Sequence, residues 1–299
     1  MKILNIGSIN IDKSYHVENF TEPGKTISSL SFNQSVGGKG LNQSIAMARA
    51  GVTVWHAGCV GKDGDELIDL MQSDGIHLEY LEKSDGLTGH AIIQINKKGQ
   101  NSIMIHSGSN NLVNCEYIDR VLGEFENGDF LVLQKEIPNI DYAICRAREK
   151  GMVVFLNPSP IEHINDIENI DKVDYIILNE VEGRILSDKE SYIEILDALK
   201  DKYVRAAIVL TIGKNGVLYR DHTYALSHAS YNVDVVDTTA AGDTFTGYFI
   251  ASVSRGESAE KALEDASLAA SICTSRFGAA VSIPHRREVM DFRKTAQKS

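Results

Sequence analysis

Beyond residue 114 the chain repeats one device: a short apolar run, then a stretch long enough for a helix. The runs fall at 130–133, 152–156, 175–178 and 206–210, and helical spacing marks 116–125, 139–149, 180–186 and 190–200. Apolar runs of four or five residues suit strands buried on both faces. Strands alternating with helices imply a parallel sheet covered on both sides. A β-rich stretch at 217–227 follows, and helices at 242–254 and 258–275 close the core.

The first third is less regular. Residues 2–6 read as a first strand ending at Gly7, and 10–36 are polar, punctuated by Gly and Pro, with β-rich fragments. Gly37 to Gly40 break the chain before a helix at 41–50, a strand at 53–57 and a helix at 65–73. Residues 88–106 read as a hairpin, with apolar runs at 91–95 and 102–106 joined by the polar turn 97–100. The two β segments near 10–36 and 88–106 are expected to form one small sheet beside the main one. With no repeat, low-complexity tract or linker, the expectation is a single α/β domain over 1–299.

Charge narrows the partners. The net charge of -11 disfavours nucleic acid, which calls for a basic face. No apolar run approaches the roughly 18 residues of a membrane helix, and the polar start MKILNIGSINID does not read as a signal peptide. Cys59, Cys115, Cys145 and Cys273 include no CxxC pair, so reduced thiols are expected and a disulfide framework or zinc site is not. A cytoplasmic protein follows from these readings.

Several nucleotide motifs fail. Gly24-Lys25-Thr26 has the tail of a Walker loop, but Asn19 stands where its first glycine belongs, and after Gly7 the second glycine is replaced by Asp12. There is no GxGxxG fingerprint, no HRD or DFG set and no HxxxH pair.

The informative segment is Asp237-Thr238-Thr239-Ala240-Ala241-Gly242-Asp243-Thr244-Phe245. Small residues lead into a helix whose unpaired N–H groups and partial positive charge form an anion site. An acid in the first turn is by itself an ordinary response to the helix dipole. Beside an anion site it can also take a proton from an attacking hydroxyl. Near the N-terminus, Gly37-Gly38-Lys39-Gly40 is followed by Asn42, a glycine run that lets backbone approach a ligand, with two side chains able to bond hydroxyls. Asn10 and Asp12 end the first strand region two residues apart, so they share one side of an extended chain. Asn179 and Glu182 follow a strand in a spacing that also makes a helix capping box. Thr211, Gly213 and Gly216 end another strand in what is equally a simple turn.

On these residues the chain resembles the PfkB-type, or ribokinase, family of carbohydrate kinases. Both family signatures are present, the second unbroken from Asp237 to Phe245, and the motifs run in the family's order along essentially the whole chain. The resemblance implies a ribokinase-like α/β fold: a central, mostly parallel sheet flanked by helices on both faces, with a small β-sheet lid. It implies ATP-dependent phosphorylation of a sugar, D-ribose at O5 to ribose 5-phosphate, with Asp243 as general base. Ala240, Ala241, Gly242 and Asp243 would form the anion hole. Asn10, Asp12, Gly38, Lys39, Gly40, Asn42 and Glu136, with Asp243, would hold the sugar. Asn179, Thr211, Gly213, Gly216 and Gly242 would contact ATP, and Glu182 would help organise Mg²⁺. Asp237, Thr239, Cys273, Arg276, Gly278 and Ser282 would surround an activating K⁺. A homodimer through the lid sheet is expected. GSINID, the GGKG run with Asn42, and residues 105–110 favour ribose; Leu41, Lys135 and Phe277 depart from the family's usual wording, and Leu41 lies inside the sugar element. Two rivals stand beside this reading: a kinase of the same fold for deoxyribose, a hexose or a nucleoside, and a non-catalytic sugar-binding regulator, which would be expected to have lost Asp243 or the anion-hole glycine.

Overall fold

The computed structural model describes residues 1–296, and their order is as follows. The chain opens with β1 (Ile3–Ile6), β2 (Asn10–Val17) and β3 (Ser31–Gly37), then α1 (Lys39–Arg49), β4 (Val54–Val60), α2 (Asp65–Ser73) and β5 (His77–Lys83). A hairpin of β6 (Gly89–Asn96) and β7 (Asn101–His106) precedes α3 (Cys115–Leu122), β8 (Phe130–Gln134), α4 (Ile140–Glu149), β9 (Val153–Asn157) and β10 (Tyr175–Asn179). Then come α5 (Glu180–Ser187), α6 (Tyr192–Lys202), β11 (Ala207–Thr211), β12 (Val217–Arg220), β13 (Ala225–His228), α7 (Ala241–Ser254), α8 (Ala259–Thr274) and α9 (Arg286–Ala296).

Nine strands form the main sheet in the order β13-β12-β11-β10-β9-β8-β1-β4-β5. The pairs from β5 to β11 are parallel, and β12 and β13 add an antiparallel edge. Its central strands read as near-continuous apolar runs because each is covered twice. One face packs on α1, α7 and α8 through Ile45, Phe249 and Leu268, and the other on α3, α4 and α6 through Ile118, Ile144 and Leu199. Burying one such side chain contributes about 1.5–3 kcal/mol.

The second sheet has four strands in the order β3-β2-β6-β7, with β2 and β6 parallel at its centre. β2 leaves β1 after only three residues, so the small sheet is tied directly to the carboxyl end of a central strand.

Two elements escape the sequence reading. The sequence HLEYLEK forms β5, a half-exposed edge strand whose charges hide its pattern, and α9 follows the two helices expected to close the core. The 41–50 helix begins earlier, at Lys39, and the 10–36 segment is strand only at its two ends.

Helices α1 and α7, distant in sequence, touch closely. A Cβ on Gly247 would lie 2.4 Å from the Ala46 Cβ and 2.9 Å from the Gln43 carbonyl oxygen. Only glycine permits this spacing, and it brings the first turns of both helices to one point at the carboxyl ends of the parallel strands. In open α/β sheets, ligands bind there.

Candidate active site

At that point Asp243 stands in the first turn of α7, with 8% of its surface exposed. Asn42 of α1 donates its amide to Oδ2 at 3.2 Å, and Gln43 donates to Oδ1 at 2.9 Å. Burial raises the Asp243 pKa; Lys39 and the two amide donors oppose that rise, while the charge of Glu136 adds to it. The result is a carboxylate more basic than a surface one.

Ala240 caps α7 with φ 59°, a left-handed conformation that costs a non-glycine residue roughly 1–3 kcal/mol. This turn leaves the N–H groups of Gly242 and Asp243 without a protein acceptor among the described residues. The Ala241 N–H differs, since it donates to the Thr238 carbonyl at 3.2 Å. Of the four expected anion-hole residues, Ala241 therefore has its donor already engaged. A Cβ added at Gly242 would meet no atom within 4 Å. Protein packing therefore does not require a glycine there, and the backbone of Gly242 is open to the cavity.

A cavity of about 240 Å³ opens beside Asp243, and Lys39, Glu182, Asn179, Thr211 and Gly242 are among its walls. Burial works to lower the Lys39 pKa, but the carboxylates of Asp243, Glu136, Glu182 and Asp12 outweigh it and raise it. Lys39 is thus a fixed positive charge between the cavity and the small sheet.

On the other side of Lys39 lie the residues of β2 and the β3–α1 turn. Asp12 has its pKa pushed up to about 6 by burial first, then by the charges of Glu136 and Asp243, with Lys39 opposing. Asn10 is buried, and its Oδ1 accepts from Asn110 Nδ2 at 2.8 Å. Asn42 Oδ1 is buried and accepts no hydrogen bond from the described residues. Gly38 turns the chain with φ 94°, and the Gly40 N–H faces Ser8 Oγ at 3.3 Å. Glu136 is committed to structure as well: its Oε2 accepts from Ser8 Oγ and from the Lys39 N–H, tying the α1 start to the ends of β1 and β8.

The pattern of the pfkB family carbohydrate kinase matches residues 1–286. The chain belongs to this family.

Individual relatives agree. The ribokinase of Haemophilus influenzae is 32% identical over 297 residues, covering 96% of each chain. The crystal structure of a ribokinase from Thermotoga maritima is 32% identical and superposes with a TM-score of 0.86 over 98% of this chain and 99% of its own. The Arabidopsis thaliana ribokinase complexed with ribose and ATP is 28% identical, with a TM-score of 0.86 over 98% of both chains. The nine-stranded sheet and separate four-stranded sheet are the fold expected for this family.

The kinase gathers its remaining motif residues in two further places. Asn179 caps α5: its Oδ1 accepts from the Val181 and Glu182 N–H groups, while Glu182 Oε2 accepts from the Asn179 N–H. This capping box uses one oxygen of Glu182, and the residue still lines the cavity. Gly213 and Gly216 flank a short turn after β11, both with positive φ.

The other cluster joins the strand-to-α7 loop to the end of α8. Asp237 accepts from Thr239 N and Oγ1 and from Gly278 N, at 2.9, 2.6 and 3.0 Å. Burial disfavours its charge, but these donors prevail and hold its pKa below the usual carboxylate range. Cys273 Sγ lies 3.0 Å from Ser282 Oγ and 3.6 Å from the Thr239 carbonyl. The Arg276 side chain points elsewhere, pairing with Glu288 of α9. Among the described residues no group of three or more His, Cys, Asp or Glu is arranged to hold a metal.

Sequence reasoning missed Ser8, Gln43, Asn110, Gln134 and Asn157. A signal for two of them exists. The strands FLVLQ, VVFLN, YIILN and AIVLT each end on a polar residue, namely Gln134, Asn157, Asn179 and Thr211. A polar terminus on these four adjacent parallel strands marks the edge where ligands sit.

Proposed function

We propose that this kinase transfers the terminal phosphoryl group of ATP to O5 of D-ribose, giving ribose 5-phosphate and ADP. The observation that carries the reading is the seat of Asp243: a buried carboxylate beside two unpaired N–H groups, with a cavity on one side and an unfilled polar surface on the other. The relative complexed with ribose and ATP supports both substrates.

In this reading Asp243 takes the O5 proton as O5 attacks the γ-phosphorus in line, and the bond to the ADP oxygen breaks. The N–H groups of Gly242 and Asp243 stabilise charge on the transferring group. Lys39 faces both substrates. Asn10, Asp12, Gly38, Gly40, Asn42 and Glu136 hold the sugar, where the free acceptor of Asn42 meets a hydroxyl and Asp12 accepts from others. Asn179, Thr211, Gly213 and Gly216 contact the nucleotide. The small sheet lies over the sugar side, where it excludes water as a competing acceptor.

Glu182 presents oxygen to the cavity, which suits Mg²⁺ reached through water. That ion, when bound, supplies neutralisation of phosphate charge. The Asp237 cluster, with the Thr239, Gly278 and Ser282 segments, offers an ionised carboxylate and hard oxygen groups that suit K⁺ close to the α7 start; Arg276 would take part only through its backbone. The four free cysteines and the need for ATP support a cytoplasmic setting.

The test is the product. ³¹P and ¹³C NMR of the reaction with MgATP should show phosphate coupled to C5 of ribose, with K⁺ raising the rate. Phosphorylation only of deoxyribose, fructose or a nucleoside would move the specificity, and ATP-independent binding without product would favour a regulator.

A further inference from the structure

Behind Asp243 runs a set of polar side chains sealed in the core. Asn5 on β1, Gln43 and Ser44 on α1, His56 on β4 and Gln134 on β8 are each 0% exposed. Burying so many polar groups is costly unless each has a partner. They are linked in series. Asn5 Nδ2 donates to the Gly40 carbonyl and to Ser44 Oγ, both at 2.8 Å. Gln134 Nε2 donates to Asn5 Oδ1 at 3.0 Å and to Gln43 Oε1 at 2.7 Å. Gln43 Nε2 then donates to Asp243 Oδ1. Ser44 Oγ closes the far end on His56 Nδ1 at 2.8 Å, and burial drives the His56 pKa down to about 3 against a bond with the Gly7 backbone, so His56 is neutral.

The direction of this series is fixed from its backbone end. The Gly40 carbonyl can only accept, so Asn5 must turn its NH₂ toward it and its oxygen toward Gln134. Gln134 must then donate, and with both hydrogens spent its own Oε1 is left buried without a partner. Gln43 must present oxygen to Gln134, and therefore NH₂ to Asp243.

We propose that Gln43 is a positioning residue for phosphoryl transfer: its amide, aimed by Gln134 and Asn5, clamps Oδ1 of Asp243 and orients Oδ2, which also accepts from Asn42, to take the proton of the sugar hydroxyl. The inference rests on Asp243 being the base. It also accounts for a neutral, uncharged support: a lysine in the place of Gln43 would bind the carboxylate harder and weaken it as a base. The other ionisable groups facing Asp243 are Lys39 of α1, Glu136 after β8, Asp12 of β2 and Cys273 of α8.

Gln43→Met keeps the volume and removes the donor. It should lower kcat about 10-fold or more, leave KM for ribose and ATP within about 2-fold, and move the acid limb of the kcat/KM profile up by about one pH unit, the scale of one hydrogen bond to a charged group. Gln134→Met, which leaves Gln43 in place but unaimed, should give a smaller change of the same sign. Unchanged kcat and an unmoved limb in Gln43→Met would overturn the proposal while an inactive Asp243→Asn leaves the base assignment standing. A fully active Asp243→Asn would instead remove the base assignment itself. In the unsubstituted enzyme, the Gln43 side-chain amide resonances should titrate with the acid limb; resonances that ignore it would overturn the proposal even if neither methionine variant folds.

Discussion

Asp12 holds a charge in a place that disfavours it. Its pKa in the folded chain, about 6, lies above the ordinary value of 3.8, chiefly because it is buried and then because Glu136 and Asp243 share its surroundings. Between these two values the folded state binds more protons than the unfolded one, so this group's contribution to stability is greatest below pH 4 and is lost as pH rises through about 6. Asp12→Asn should therefore stabilise the free enzyme at pH 8 by up to about 3 kcal/mol, the equivalent of two pKa units, with no gain at pH 4. It should also weaken sugar binding strongly. Denaturant unfolding at the two pH values, with calorimetry for the sugar, checks both; equal stability at pH 8 would contradict the account. Asp12 was legible as a site residue because it pairs with Asn10 across one strand side. Gln43 was not, since nothing in the sequence joins it to Gln134, 91 positions away.

Among elements, α1 and α7 carry the site, and their contact is set by Gly247. The start of α7 was readable from its small residues and first-turn acid. The α1 contact was not, because a glycine inside an apolar helix gives no hint of which backbone it faces. Gly247→Ala would force the two helices apart. The expected cost is about 1–3 kcal/mol, typical of overpacking, with kcat reduced as Asn42 and Gln43 draw back from Asp243. Thermal unfolding and steady-state kinetics on the one variant decide it; an unchanged melting temperature would mean the contact is looser than described. β5 was lost to reading for another reason: an edge strand with Glu79, Glu82 and Lys83 turned to solvent lacks the apolar run that marked its neighbours.

At the scale of the whole molecule, the strand and helix alternation was enough to predict a parallel sheet covered on both faces, and the two polar β segments foretold a second sheet. Which strands pair was beyond it, since β1 lies between β8 and β4. The small sheet leaves Phe32, Ile103, Met104 and Ile105 about half exposed or more. Strand alternation puts Phe32 and Met104 on one face and Ile103 and Ile105 on the Asp12 face, so apolar side chains stand open on both faces of a sheet with free edges, and we propose that they are covered in a homodimer formed lid to lid. Sedimentation at micromolar concentration should show a dimer, and Ile103→Lys with Ile105→Lys should return it to a monomer; a wild-type monomer would contradict this arrangement.

All three scales meet at Asp243. The decisive measurement is the turnover of Asp243→Asn beside its ribose and ATP affinities. The account predicts a fall in kcat of about 10² to 10⁴, the scale of a lost general base, with both substrates still bound within a few-fold of the parent. Turnover close to that of the parent enzyme would show that the proton leaves the sugar by another route.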